Sequence, residues 1–240
     1  MDWTDDGIVL TARRHGESAA IATLLTRDHG RHAGLLRGGG SRRQRGVLQP
    51  GNRVAAVWRA RLDEHLGSLT LELVESIAAR LLDHAGRLAA LASACALIEA
   101  GLPEREPHPG LYEATLALLT ALDSDDWAVA YIGWELGLLG ELGYGLDLTR
   151  CAATGSVEDL AYVSPKTGRA VSRPAGDGYR DRLLPLPAFL LGQAPADAAA
   201  LMAGLRLTGY FLDRHLLRPH GASMPDIRMR LVERLGRSAT

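Results

Sequence analysis

Residues 7–30 decide the fold of this chain; they read GIVLTARRHGESAAIATLLTRDHG. Two apolar runs, residues 7–13 and 19–26, are separated by the polar group His15-Gly16-Glu17, and Asp28-His29-Gly30 follows the second run. Short apolar runs that glycine and polar residues interrupt at this interval predict β-strands joined by tight turns. Three further strands are predicted in the same way, at residues 31–37, 53–61 and 68–74.

Five short strands with one long connection, after the third strand, match a small barrel of the OB type. The open face and loops of such barrels often hold single-stranded nucleic acid or sugars. Strand composition alone also allows an SH3-like barrel. Residues 1–76 are therefore predicted to form an OB-fold nucleic-acid-binding domain.

After Glu75 the spacing of apolar residues becomes helical. One continuous helix is predicted from Ile77 to Gly101. The further predicted helices span residues 109–122, 125–142, 195–217 and 224–236. The predicted fold class is α+β, mostly α: the barrel is followed by an α-helical domain, residues 77–240, with a loop-rich, zinc-ribbon-like insert at residues 145–181.

Composition limits the class of protein. The chain has 240 residues, 47% hydrophobic and 23% charged, which is typical of a globular protein. The longest uncharged apolar stretch, residues 88–98, is too short to cross a bilayer, and the acidic first residues do not form a secretory signal. Cys95 and Cys151 lie in unlike surroundings, so no disulfide framework is expected. We expect a cytoplasmic protein with no membrane partner.

The formal net charge of −1 hides three blocks of opposite sign. Residues 1–61 carry a net +6, residues 62–160 a net −13, and residues 161–240 a net +6. All 11 arginines of the first block lie in residues 13–61, beside only two acids. The chain has 26 Arg and one Lys, so its use of arginine is a general bias, and it is the clustering that predicts binding to a polyanion.

A glycine-rich segment, Gly38-Gly39-Gly40-Ser41, precedes three arginines and suits phosphate oxygens, because flexible backbone N–H groups lie beside guanidinium groups. A solvated mobile loop is the alternative. The predicted DNA-binding residues are Arg13, Arg14, Arg31, Arg37, Arg42, Arg43, Arg45, Arg59 and Arg61. Only about half of them can line one surface, because alternate strand residues face opposite sides. The only tryptophans in the block are Trp3 and Trp58, and Trp58 fits a core position equally well, so contacts mainly to the nucleic-acid backbone are expected.

The insert resembles a zinc ribbon that has lost its ligands. Two C-x-x-C pairs would supply the four ligands that tetrahedral zinc needs. Here the four positions are Cys151, Thr154, Ser172 and Ala175. No metal ligand and no cofactor are therefore predicted. The neighbouring Asp and His residues adjoin no nucleophile motif, so the chain is not expected to be an enzyme.

Several short motifs in a fixed order identify a family resemblance. They are Ala12 to Glu17, Leu24-Leu25-Thr26 with Gly30, Arg37 to Ser41, Leu48-Gln49-Pro50-Gly51, Gly67-Ser68-Leu69 leading to Glu75, and residues 160–168. Over its whole length the chain resembles the family of the bacterial recombination mediator RecO. That resemblance implies an OB barrel joined to a helical domain. Many members bind zinc through two C-x-x-C pairs, and this sequence departs from the family there.

The same resemblance implies a role in DNA repair and recombination without catalysis, near the nucleoid. It implies binding to single- and double-stranded DNA and annealing of strands coated by single-strand-binding protein. It further implies a partnership with RecR and, indirectly, with the RecA recombinase. An RNA-binding OB module of translation or RNA processing is the alternative, and a hydrolase with its site in the insert is a third reading that has no nucleophile or metal set.

The penultimate helix offers a candidate partner surface. Arg206, Arg214 and Arg218 border an apolar stripe formed by Leu205, Leu212 and Leu216 with Phe211 nearby. Guanidinium groups beside an apolar groove would suit the acidic C-terminal tail of single-strand-binding protein, since carboxylates gain charge-assisted hydrogen bonds there. The alternative is that these residues only pack the helical domain and solvate its face.

Overall fold

The N-terminal part of the chain forms a closed five-stranded β-barrel. A computed structural model describes residues 1–62 and 64–237. The strands are β1 (Asp2–His15), β2 (Ala19–Thr26), β3 (Gly30–Leu36), β4 (Arg53–Arg59) and β5 (Ser68–Glu75). They pair in the order β1-β2-β3-β5-β4, and β1 closes the barrel on β4. The predicted α+β class, with an OB-type barrel ahead of the helices, is confirmed.

All five predicted strands exist; the bounds of β2 agree at both ends, and those of the other four differ from the prediction by one to five residues at one or both ends. β1 begins at Asp2, and β4 ends at Arg59, so Arg61 does not share a strand face with Arg59 as predicted. Trp58 is fully buried in the barrel, where its Nε1 donates to the Leu66 carbonyl at 3.0 Å. Gly67 has a φ of +64°, and a Cβ there would lie 2.4 Å from the Trp58 Nε1. Trp58 is therefore a core residue and offers no platform for a base.

Four helices accompany the barrel. They are α1 (Arg42–Val47), α2 (Ile77–Arg80), α3 (Ala85–Gly101) and α4 (Pro109–Ala121). The prediction of one continuous helix from Ile77 to Gly101 is wrong, because the backbone leaves the helical region at His84, with φ −117° and ψ 75°. Asp83, His84 and Gly86 are weak helix formers, which explains a break at this point. α3 packs on β1, where the buried Cys95 thiol donates to the Val9 carbonyl.

The rest of the described chain is mainly helical. Its elements are α5 (Trp127–Glu141), β6 (Leu160–Val163), β7 (Ala170–Ser172), α6 (Arg173–Gly176), β8 (Leu184–Pro185), α7 (Ala198–Phe211) and α8 (Asp226–Arg237). A π-helical segment, Leu212–Leu217, continues α7, and 3₁₀ turns span Asp177–Arg182, Ala188–Leu191 and Arg218–His220. The predicted loop-rich insert, residues 145–181, contains β6 and β7, which form a small sheet of order β7-β6-β8 with the strand that follows the insert. Its likeness to a zinc ribbon stays a prediction.

The chain divides into two compact units. One contains residues 1–123 and 225–228, and the other contains residues 124–224 and the C-terminal residues from 229. The boundary predicted after residue 76 stays a prediction, and residues 238–240 of the predicted helical domain lie outside the described part. None of the helices in that described part has the length and apolar character needed to span a membrane.

Candidate nucleic-acid interface

A cleft on the barrel, here called the basic groove, gathers part of the arginine cluster. Its volume is about 380 Å³, and its lining includes Arg13, Arg14, Arg45, Gly39 and Gly40. β1 and β2 place Arg13 and Arg14 at its edge, since these residues pair with Ile21 and Ala20. The glycine turn approaches closely: a Cβ on Gly39 would lie 2.7 Å from that of Ala20. Glycine at this position therefore lets the loop close one side of the groove.

The loop after β3 adds four exposed arginines, Arg37 and the three on α1. The Ser41 hydroxyl caps α1 by accepting from the Gln44 backbone N–H, and Arg42, Arg43 and Arg45 then project into solvent. Among the described residues, none of these four nor Arg13 or Arg14 forms an ion pair. Three of these unpaired guanidinium groups, those of Arg13, Arg14 and Arg45, line the groove. With the exposed arginines at positions 37, 42 and 43 they form a positive surface with the chemistry that phosphate oxygens require.

Asn52 holds this loop in place, and sequence reasoning missed it. Its side chain is fully buried, and Nδ2 donates to the carbonyls of Gly46 at 2.9 Å and Val47 at 3.3 Å. Its Oδ1 accepts from the Ala78 N–H at 3.2 Å, at the start of α2. One amide thus fixes the end of α1 relative to α2. The only signal in the sequence is a polar residue directly before a strand, which is too common to be specific.

The other three predicted DNA-binding residues lie away from the basic groove. Arg31 donates from Nε to the Leu102 carbonyl at 2.8 Å and pairs with Glu104 at 3.5 Å. Arg59 pairs with Asp2 at 4.0 Å, at the opposite end of β1 from Arg13, and Arg61 follows it. The predicted cluster is thus divided between two ends of the barrel, and the contacts of Arg31 occupy much of its guanidinium group.

Two arginines of the basic block have structural partners. Arg27 pairs with Glu113 of α4 at 2.7 Å, and Arg53 pairs with Glu75 at 3.1 Å. Burial opposes ionisation of Glu75, but hydrogen bonds from Arg80 and Arg53 outweigh it and lower the pKa of this carboxyl. Arg27 thus connects the barrel to α4, and Arg53 connects two neighbouring strands, so both are largely neutralised for a polyanion.

The predicted partner surface is built differently from the expectation. Leu205, Leu212 and Leu216 are buried, with exposed fractions of 2% or less, so they belong to the core and form no open apolar groove beside the arginines. Arg218 pairs with Asp213 at 2.7 Å, and Arg214 donates to the Tyr210 hydroxyl at 2.9 Å. Arg206 is exposed on α7. The prediction of an open apolar groove is therefore wrong, whereas binding of a partner by Arg206, Arg214 and Arg218 stays a prediction.

The four ribbon positions do not fit zinc. Cys151 is buried, and its Sγ accepts hydrogen bonds from the Ser172 N–H at 3.3 Å and from the Ser172 hydroxyl at 3.4 Å. Burial opposes ionisation of this thiol, but the bonds from Ser172 and Thr154 outweigh it and lower its pKa to about 6. Ala175 has no donor atom, and nowhere in residues 1–62 and 64–237 do three or more His, Cys, Asp or Glu residues gather as a metal site would require.

Comparison with known proteins gives matches along nearly the whole chain. The family model described as Recombination protein O N terminal matches residues 1–77, and that described as Recombination protein O C terminal matches residues 83–224. The DNA repair protein RecO of Rhodospirillum centenum is 60% identical over 242 residues, covering 100% of this chain and 97% of the relative. The RecO proteins of Rhodospirillum rubrum and Mesorhizobium japonicum are 55% and 53% identical, covering 99% and 95% of this chain and 97% and 91% of their own lengths.

Proposed function

This chain belongs to the recombination protein O family of DNA repair proteins, and from that premise we propose that it binds single- and double-stranded DNA without catalysing a reaction. Membership places the chain in DNA repair and recombination. The observation that carries the binding proposal is the basic groove with the loop that follows β3: three arginines line the groove, three more are exposed on the loop, and none of the six has an ion-pair partner among the described residues. Phosphate contacts of this kind do not depend on base identity.

Annealing of complementary strands follows from the same charges. Two single strands repel each other through their phosphates, and binding of arginines to those phosphates releases counterions and lowers the cost of their meeting. The tri-glycine turn leads directly into α1, which exposes its arginines to solvent beside the groove. The protein would thus act as a charge-neutralising surface on which coated strands pair.

The proposal includes partners of the same pathway. We assign the protein a cytoplasmic location near the nucleoid, where it helps RecR to load RecA onto strands that carry single-strand-binding protein. Arg206, Arg214 and Arg218 remain the proposed contacts for the acidic tail of that protein. Exposed guanidinium groups favour binding to carboxylates, although Arg218 must first release Asp213.

A strand-annealing assay tests the proposal most directly. The purified chain should accelerate pairing of complementary oligonucleotides, both bare and coated with single-strand-binding protein, and the gain should vanish at high salt. Equal-length DNA and RNA strands, offered in competition, separate this function from that of an RNA-binding module. No acceleration with either nucleic acid, or a clear preference for RNA, would contradict the proposal.

A further inference from the structure

A second cleft adjoins the basic groove on the outer face of the barrel. It has a volume of about 560 Å³, and Arg13 lines both clefts. Its floor is formed by outward-facing residues of β1 and β2 such as Thr11 and Thr23, which are paired across the two strands. Glu99, near the end of α3, forms part of its wall. We call this space the acceptor cleft; its size is in the range of sites that hold small organic groups.

Six charged residues line the acceptor cleft, and three of them have partners. Arg31 is bound to the Leu102 carbonyl and to Glu104, as described above. Arg105 donates to the His65 carbonyl at 2.8 Å, and its guanidinium lies 5.9 Å from the Trp58 ring centre. Arg13 has no hydrogen bond or ion pair within the described residues. Arg13 is therefore available to a phosphate at the junction of the two clefts.

Glu64 and Glu99 are the other two charged residues of the cleft for which no described residue supplies a partner; Glu64 is exposed, whereas Glu99 is half-buried. Oε2 of Glu99 is inaccessible to solvent and accepts no hydrogen bond from any described residue. Burial raises the pKa of Glu99 because the charged form loses hydration, an effect that Arg31 and Arg13 only partly offset. An unsatisfied buried acceptor is costly, and native structures contain few of them. The cleft thus holds a strong acceptor for which the free protein supplies no donor.

From these observations, and resting on the proposed function, we infer that the acceptor cleft binds one unpaired guanine base of a DNA strand lying in the basic groove, with Glu99 accepting from N1–H and N2–H₂. An ionised carboxylate only accepts hydrogen bonds, so it favours a base edge with adjacent donors. Guanine alone presents two donors side by side on its Watson–Crick edge. Adenine and cytosine place an acceptor beside the donor, and thymine flanks its single donor with two acceptors.

The contact requires the carboxylate of Glu99 to rotate, because Oε2 is inaccessible to solvent in the free protein. The terminal torsion of a glutamate side chain is broad, so this rotation has a small cost. Arg13, at the junction, would hold the phosphate of the same nucleotide. A duplex hides the Watson–Crick edge, so the cleft accepts a base only from an unpaired strand. Backbone binding in the basic groove and reading of a single base in the acceptor cleft are thus compatible in one protein.

The test compares three oligothymidylates of equal length by fluorescence anisotropy: one unmodified, one with a single central guanine, and one with hypoxanthine at that place. Hypoxanthine lacks only the 2-amino group, so it isolates one of the two hydrogen bonds. The guanine strand should bind about ten-fold more tightly than the unmodified strand, the usual order for a bidentate base contact. The strand with hypoxanthine should lose most of this increase in affinity.

Glu99→Gln should abolish the guanine preference while leaving binding to the unmodified strand within about two-fold, because an amide places a donor against a donor of the base. It should also raise the melting temperature of the free protein, since an unsatisfied buried charge is removed. Glu104→Gln is the matched control: it removes the same charge from the same cleft, but from a carboxylate that is already paired with Arg31. It should keep the preference.

The outcomes separate this inference from the proposed function. If no strand binds at low salt, the proposed function itself fails. If all three strands bind equally well, or if Glu99→Gln retains the guanine preference, DNA binding stands and the inference is overturned. In that case a cationic side chain of a partner protein becomes the better candidate for the acceptor cleft.

Discussion

Replacing Arg42, Arg43 and Arg45 together by alanine should weaken binding to every DNA sequence and halve its dependence on salt. These three side chains are exposed on α1, and among the described residues they have no ion-pair partner. Alanine is a good helix former, so the short helix should persist. Since the three side chains are exposed, the free energy of unfolding should change by no more than about 0.5 kcal/mol.

The magnitude follows from the number of unpaired arginines. If all six unpaired arginines of the groove and the adjoining loop contact phosphates, the slope of log K against log salt on single strands should be about −4, at about −0.7 for each contact. The triple variant keeps three, which gives a slope of about −2. Between about 50 and 200 mM salt the native protein should lose about 300-fold in affinity and the variant only about 20-fold.

Anisotropy titrations of a labelled oligothymidylate across that salt range measure both slopes. The matched control replaces Arg169, Arg173 and Arg180, which removes the same charge but from arginines paired with aspartates. It should behave like the native protein, because those charges are already neutralised. Equal slopes for the two triple variants would refute the assignment of the groove and leave net charge as the explanation.

Three further predictions concern the folded protein itself. The thiolate absorbance of Cys151 should titrate with a midpoint near pH 6. Burial raises the pKa of Cys95 to about 12, so Cys95 should add no thiolate absorbance in that range. Ser172→Ala should move the midpoint for Cys151 upward. Because folding lowers the pKa of Cys151, stability should fall as pH drops through the range from about 9 to about 6, and less steeply in Ser172→Ala. Asn52→Ala, which leaves the Ala78 N–H and the Gly46 carbonyl without their partner, should cost about 2–4 kcal/mol in urea unfolding and weaken DNA binding. Elemental analysis should find no stoichiometric zinc, and a melting temperature that falls in chelator would show that the ligand argument is wrong.

The barrel could be predicted from the sequence because its signals are local. Turn residues at Gly16 and Gly30 mark both ends of β2, whose predicted bounds agree with the structure at each residue. The break at His84 could not be predicted, because the apolar spacing continues through it and only weak helix formers indicate the end. Likewise, the spacing of apolar residues does not distinguish the π-helical segment that follows Phe211 from a continuation of α7.

The site was predicted in part, and the limit has a physical cause. Clustering in the sequence indicated the arginines of the glycine-rich loop, because residues that are close in sequence within a short loop also lie close together in the folded protein. It also included Arg31 and Arg59, whose neighbours in space come from distant segments. Glu99 gave no signal, since one acid in an apolar helix is common. A missing hydrogen bond is a property of the folded chain alone.

The partner of each arginine explains how a nearly neutral chain keeps a basic groove. Glu75, at the end of β5, binds Arg53 of the neighbouring strand β4. Glu104 and Glu113, which follow the barrel in sequence, bind Arg31 and Arg27 and attach later segments to it. These pairs neutralise arginines that do not line the groove, and those that line it stay without an ion pair among the described residues. Net charge is therefore a poor guide to DNA affinity here. Changing Glu113 to lysine would free Arg27, which does not line the groove, and it should change the salt dependence of DNA binding much less than the loss of Arg45 from α1.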